Sequence, residues 1–198
     1  MKLYFVGMFI LMAAFFLAIG VKVVSSKRPM LVPARIFFVF MALAFSPQLV
    51  NFFSMVGSEA GKRMGFILYL NPIMFICLLV FFWIQMKGYV AIGIYDETFR
   101  NSLHGSLNKN NIVFEEQLSV VKLISENANL QVAIQSWVGT GQLRLKKSND
   151  AELLKRIVAG MNDYFIEHDI KSNNTTAIFY IIMGVFMVIA AGSFGVII

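Results

Sequence analysis

Four long runs of apolar residues, separated by two short polar segments and one longer mixed segment, dominate the pattern of the chain. An α-helix rises about 1.5 Å per residue, so about 20 apolar residues cross a hydrocarbon core of roughly 30 Å. Each of the four runs is long enough to do so. The pattern therefore predicts four transmembrane helices, at residues 3–21, 36–56 and 65–86 and within 173–198.

The segment between the third and fourth runs, residues 88–172, has the shorter apolar periods of a folded domain. Phe99, Leu103 and Leu107 recur at the spacing of one helix face. A second helix is predicted to start near residues 148–150, with its apolar face between Leu153 and Phe165.

Strands are predicted where apolar and polar residues alternate inside this domain. A hairpin is expected around the turn Gly139-Thr140-Gly141, with Trp137 opposite Gln142. The order of elements, β-α-β-β-β-β-α, predicts a two-layer α+β domain in which a mostly antiparallel sheet carries two helices on its apolar face. The other strands are expected at residues 89–95, 112–114 and 118–124.

The predicted organisation is thus a membrane protein with an α+β domain inserted between its third and fourth helices. Residues 1–87 form the first three helices, with a basic linker between Lys22 and Arg35, and residues 173–198 form the fourth helix. A composition of 58% hydrophobic and only 14% charged residues lies outside the range of soluble globular domains. Membrane lipids are therefore an expected partner.

The net charge of +6 comes entirely from the apolar part of the chain. Between Lys87 and Lys171, ten basic residues balance ten acidic ones. A nucleic-acid-binding domain would carry the excess on its own surface. The distribution therefore argues against nucleic acid as a partner.

Basic residues near the ends of the spans predict the orientation, because short cytoplasmic loops are enriched in Lys and Arg. Six of them lie on the side of the domain and three on the other side. The domain 88–172 is therefore expected in the cytoplasm, with the N- and C-termini outside the cell membrane. The six are Lys22, Lys27, Arg28, Arg35, Lys87 and Lys171, and the three are Lys2, Lys62 and Arg63.

The hairpin of the second and third spans contains a candidate polar site. Pro47 and Pro72 lie at nearly equal distances from the loop that joins the two helices, and each proline removes a backbone hydrogen bond. Paired broken helices form ion or substrate sites in many transporters, whereas proline and amide side chains also serve as contacts between membrane helices. The candidate residues are Ser46, Pro47, Gln48, Asn51, Asn71 and Pro72.

Trp137 is a candidate contact for a protein partner. It is the one large apolar residue on the polar face of the predicted hairpin, and tryptophan is enriched in interface hot spots and at membrane surfaces. The alternative is packing against a neighbouring strand.

The sequence offers little for catalysis, and we predict no catalytic, cofactor-binding or metal-binding residues. The titratable residues of the domain form no spacing typical of a metal site, a phosphate loop or a nucleophile with its base. For an enzyme, the candidates are His104, His168, Glu115, Glu116, Asp96 and Glu97.

These observations favour a non-enzymatic membrane protein whose domain binds a protein partner, as a subunit, assembly factor or regulator of a complex, or which forms a homo-oligomer. A transporter or channel component with a site at the Pro47/Pro72 hairpin is one alternative. A membrane enzyme acting on lipid is another.

Overall fold

The fold of the protein is given by a computed structural model, which describes residues 2–117, 119–146 and 150–196. It is a mixed α+β structure in which an antiparallel sheet is joined to four helical segments long and apolar enough to cross a membrane. These segments are α1, α2 continued by α3, α5 and α8. The helices are α1 (Lys2–Ser26), α2 (Ala34–Phe45), α3 (Pro47–Met55), α4 (Glu59–Met64), α5 (Ile67–Gln85), α6 (Asp96–Lys109), α7 (Ala151–Glu167) and α8 (Asn174–Val196).

Described residues form a six-stranded sheet in the spatial order β1-β2-β6-β5-β4-β3, and all its neighbouring strands are antiparallel. The predicted antiparallel α+β class is therefore confirmed. Residue 118 of the predicted strand 118–124 and residues 148–149 at the predicted start of the second helix lie outside the described residues. The strands are β1 (Met30–Pro33), β2 (Tyr89–Ile92), β3 (Phe114–Gln117), β4 (Val120–Leu123), β5 (Ala128–Gln135) and β6 (Thr140–Lys146).

Strand β1 is an edge strand where the sequence analysis expected a linker. It pairs with β2, with Leu31 opposite Ala91, so a segment before the second apolar helix completes the sheet of the domain. Strand β1 is only four residues long and ends in Pro33. Its residues do not alternate between apolar and polar, so no strand pattern marks it in the sequence. Proline is compatible with the end of an edge strand because its missing N–H faces no partner there.

The β5–β6 hairpin turns at residues 136–139, two residues earlier than predicted. Gln142 therefore lies opposite Ala133 and not opposite Trp137. The register differs from the prediction by four residues, an even number, so the same side chains still face the core. Gly139 closes the turn with a φ of 69°, a conformation that favours glycine.

Helices α6 and α7 cover one face of the sheet and form the core of the domain with it. The predicted faces are confirmed, since Phe99, Leu103 and Leu107 are buried, as are six residues of α7. The two helices cross closely at Gly160, where an added Cβ would lie 2.4 Å from Oγ of Ser106. The six buried α7 side chains are Leu153, Leu154, Ile157, Val158, Met161 and Phe165.

The opposite face of the sheet is divided into two parts. Its β1–β2 part is apolar, and Ile92 is fully buried there against Val23 of α1 and Ala177 of α8. Its β3–β6 part is polar, and we call this part the polar sheet face. The polar sheet face carries Glu115, Gln117, Lys122, Asn129, Gln131, Gln135, Gln142 and Arg144.

Helices α1 and α8 pack against each other in antiparallel orientation along most of their lengths. Two glycines permit the close approach. An added Cβ at Gly20 would lie 2.7 Å from the side chain of Ile181, and one at Gly184 would lie 2.6 Å from the side chain of Leu17. Small residues at a helix contact let the two backbones come together, as is usual between apolar helices.

We expect Gly184→Leu to weaken this pairing, because overpacking a tight contact costs about 1–3 kcal/mol. Gly192→Leu is the matched control, since it lies in the same helix and an added Cβ there meets no atom within 4 Å. Thermal unfolding of the detergent-solubilised protein measures both variants. Equal melting temperatures for the two would contradict the assigned contact.

Candidate functional site

The second pair of apolar helices is a hairpin formed by α2–α3 and α5. Ring pairs at three levels fix its register: Phe38 with Trp83, Phe45 with Phe75, and Phe52 with Tyr69, with centroids 5.2, 6.5 and 5.8 Å apart. By interpolation between these pairs, Pro47 and Pro72 lie within about one helical turn of the same level.

The helix break at Pro47 is compensated locally. Pro47 has no N–H to donate to the carbonyl of Leu43, and the backbone N–H of Ser46 donates to that carbonyl at 3.2 Å instead. The Ser46 hydroxyl also bonds the Leu43 carbonyl and lies against the hydroxyl of Tyr4 in α1. Ser46 therefore links the bend of the hairpin to the first helix.

The other candidate polar residues of the hairpin do not converge in the structure. The side chains of Gln48, Asn51 and Asn71 are exposed on the helix surfaces, with no hydrogen bond to any side chain or backbone group of the described residues. A permeation or ligand site at this level remains a prediction. Such a site would need groups from outside this hairpin.

Trp137 lies at the tip of the β5–β6 hairpin and is 74% exposed. Its ring meets Phe179 of α8 edge to face, with centroids 6.4 Å apart. The side chain is therefore presented outward, beside the first turns of the last apolar helix. It does not pack under a neighbouring strand.

The turn that carries Trp137 is held by a group of polar contacts that the sequence analysis missed. The Thr176 hydroxyl, fully buried, donates to the carbonyls of Val138 and Gly139 at 2.6 and 3.2 Å. Asn173 caps α8 by accepting the N–H of Thr175 at 2.9 Å. We call this group, Asn173 and Thr176 on the turn at Gly139, the latch.

The latch also lies where the sheet is joined to one end of the α1–α8 pair, at the end of α1 and the start of α8. The N–H of Asn173 donates to the carbonyl of Gly93 at 2.8 Å, and the N–H of Ser172 donates to that of Lys27 at 2.9 Å. At Gly139 an added Cβ would lie 2.2 Å from Oγ1 of Thr176. No sequence motif indicates this arrangement, because its residues come from four separate segments of the chain.

Three of the catalytic candidates, His104, Glu116 and Asp96, form an exposed cluster with Arg100 on the helical side of strand β3. Glu116 accepts from His104 Nε2 at 2.7 Å and pairs with Arg100, which lies 3.3 Å from Asp96. The ring of His104 also lies against Phe114, with centroids 5.0 Å apart. These contacts fasten the edge strand to α6.

The remaining candidates are separate from that cluster. His168 stacks on Tyr164 at the end of α7, Glu115 lies on the polar sheet face, and Glu97 is exposed in the first turn of α6. Among the described residues, no group of three or more His, Cys, Asp or Glu side chains could hold a metal ion.

Opposite charges tie α6 to α7 at the surface of the domain. Lys109 donates to Asp163 at 2.9 Å and to Glu167 at 3.3 Å. The hydrogen bond to Asp163, followed by that to Glu167, raises the pKa of Lys109 above its usual range. This lysine therefore stays charged at any physiological pH.

A basic cavity of about 390 Å³ lies where the hairpin helices meet the domain. It is bounded by the start of α2, the segment that follows α5 and the first turn of α7. Three cationic side chains line it, together with one carboxylate, that of Asp150. Its lining includes Pro33, Arg35, Lys87, Tyr89, Leu145, Asp150, Leu154 and Lys155.

Comparisons of the chain with protein-family models, with curated proteins and with solved structures give no match.

We expect Thr176→Val to destabilise the protein by about 1–3 kcal/mol, because it removes the hydroxyl that donates to the carbonyl of buried Val138. The Gly139 carbonyl keeps the N–H groups of Gly93 and Ile94. Thr175→Val is the matched control, since Thr175 is the exposed neighbour in the same helical turn. Thermal unfolding in detergent measures both. A control as unstable as Thr176→Val would show that the loss arises from helix propensity and not from the latch.

Proposed function

We propose that this chain is a multi-pass, non-enzymatic protein of the cell membrane whose cytoplasmic α+β domain binds a protein partner. In this proposal the protein acts as a subunit, assembly factor or regulator of a larger complex. The observation that carries the proposal is the polar sheet face, much of which no other element of the described structure covers.

The apolar helices support the membrane placement. Each of the four candidate spans has 19 to 24 residues and at most two charged side chains in its most apolar stretch. The two tryptophans of the chain, Trp83 and Trp137, both lie near the ends of spans that adjoin the sheet. Tryptophan is enriched at this level in membrane proteins because its ring is apolar and its N–H is polar.

The distribution of basic residues supports the orientation. The domain adjoins the end of α1, the start of α2, the end of α5 and the start of α8. The six basic residues counted from the sequence lie at these ends, and Lys62 and Arg63 lie at the far end of the hairpin. The excess near the domain favours a cytoplasmic domain and termini outside the membrane.

The polar sheet face supports partner binding. Glu115, Gln117 and Lys122 are exposed there, although the other face of the same strands is buried under α6 and α7. The exposed Trp137 projects from the tip of β5–β6. An exposed aromatic ring and an exposed polar surface on the same sheet have the composition of a protein interface, with an anchor and hydrogen-bonding groups.

The orientation is tested by labelling single cysteines in intact cells with a maleimide that does not cross membranes. Cys77, the one native cysteine, is first replaced by alanine. We expect a cysteine at Ala60, exposed in the short helix α4 between the hairpin helices, to react and one at Glu126, in the β4–β5 turn, to react only after permeabilisation. The reverse pattern would place the domain outside the cell.

Partner binding is tested by replacing Trp137 with alanine. We expect about 30-fold weaker binding, because removing a hot-spot side chain costs about 2 kcal/mol or more. The measurement is the stoichiometry of the protein that co-purifies from native membranes. Stability should change little, since Trp137 is already 74% exposed.

Ile124→Ala is the control for this experiment, because Ile124 is 60% exposed elsewhere on the domain. It should keep the partner. Co-purification that is unchanged by Trp137→Ala would show that Trp137 does not contact the partner. A wild-type protein that carries no second protein at defined stoichiometry would overturn the partner-binding proposal itself.

A further inference from the structure

In the proposed membrane placement, the basic cavity lies at the level of the phospholipid phosphate groups. Its wall includes Arg35, the second residue of α2, and Lys87, two residues after the end of α5. Both helices are candidate spans, so the cavity opens where their apolar segments end. Phospholipid head groups occupy this zone in any bilayer.

The charges of the cavity favour an anion. Arg35 and Lys87 have no carboxylate within salt-bridge distance among the residues that the structure describes. The guanidinium of Arg35 lies 5.4 Å from the ring centroid of Trp83, which orients it without neutralising it.

The third cation, Lys155, is paired with Glu152 at 2.9 Å. The same hydrogen bond raises the pKa of Lys155 above its usual value, so its ammonium group stays charged. The one carboxylate in the wall, Asp150, already accepts the N–H groups of Glu152 and Leu153 at the start of α7. Among the described residues that line the cavity, positive groups therefore outnumber negative groups by two.

The shape and the apolar part of the wall fit a head group with its glycerol. The volume of about 390 Å³ lies in the range of small-molecule sites, about 300–1,000 Å³. Tyr89, Leu145 and Leu154 supply apolar surface beside the cations. A basic pocket between membrane helices on the cytoplasmic side is a known arrangement for binding anionic lipid head groups.

We propose that the basic cavity binds the phosphate head group of an anionic phospholipid, with Arg35 and Lys87 as the principal contacts. This proposal rests on the membrane placement proposed above. The lipid would lie against the ends of α2 and α5, with its phosphate in the cavity and its acyl chains beside the hairpin.

The test uses the full-length protein in nanodiscs made either of phosphatidylcholine alone or of equal parts of phosphatidylcholine and phosphatidylglycerol. Native mass spectrometry after gentle release from the discs measures how much phosphatidylglycerol stays bound. We expect selective retention by the wild type and about 30-fold weaker retention by the double variant Arg35→Gln/Lys87→Gln, since each cation near a bilayer surface contributes about 1 kcal/mol.

Two further variants separate a site from general attraction. Lys62→Gln/Arg63→Gln removes the same charge at the far end of the hairpin and should retain the lipid as the wild type does. Arg35→Lys keeps the charge and should retain most of the binding. Equal losses in the two double variants would overturn the proposal, because diffuse surface charge would then explain the retention.

Soluble glycerol 3-phosphate distinguishes a lipid from a free phosphate compound. If it displaces phosphatidylglycerol from the detergent-solubilised wild type at equal concentration, the ligand is a soluble anion and the lipid assignment is wrong. Failure of the membrane placement is visible separately, because the protein would then not enter the discs at all.

Discussion

The rest of the structure depends on the latch, where the start of α8 closes on the β5–β6 turn. Thr176 is fully buried and donates to the turn, while Asn173 donates its N–H to Gly93 and caps the helix. An unpaired hydroxyl or carbonyl in this position would cost about 1–3 kcal/mol, so the turn and the helix must be placed together. The need for glycine at position 139 follows, since a Cβ there would occupy the space of Oγ1 of Thr176.

This constraint gives the sheet two different faces. The β1–β2 part is drawn against α1 and α8, so Ile92 is as deeply buried as the core residues under α6 and α7. The β3–β6 part lies beyond α1 and α8, and its exposed side chains are polar. One sheet thus serves as the wall of a domain core and as the base to which the apolar helices are attached. Its free part is the surface that we assign to a partner.

Local patterns allowed the four long apolar helices and both amphipathic helices to be predicted from the sequence, because their apolar periods are contained in single segments. Strand β1 could not be predicted in this way, since its pairing with β2 joins residues about 60 positions apart and its own pattern is weak. The predicted β5–β6 register was wrong by an even number of residues. Such an error leaves the same side chains on the same face of the sheet, so the alternation of apolar and polar residues does not reveal it. The latch and the basic cavity were missed because each collects residues from segments far apart in the chain.

The two helix pairs are attached to the sheet in different ways, which bears on the role of the basic cavity. The α1–α8 pair is joined to it by buried hydrogen bonds and by the apolar contact at Ile92. The α2–α5 hairpin is separated from the polar sheet face by cavities of about 270 and 250 Å³. Across the first cavity, the Arg144 side chain donates to the side chain of Gln85 and to the carbonyl of Ile84. A head group held by Arg35 and Lys87 would contact both hairpin helices and α7 at once. Bound lipid would then connect this end of the hairpin to the domain, whereas α1 and α8 are connected to the domain by direct packing.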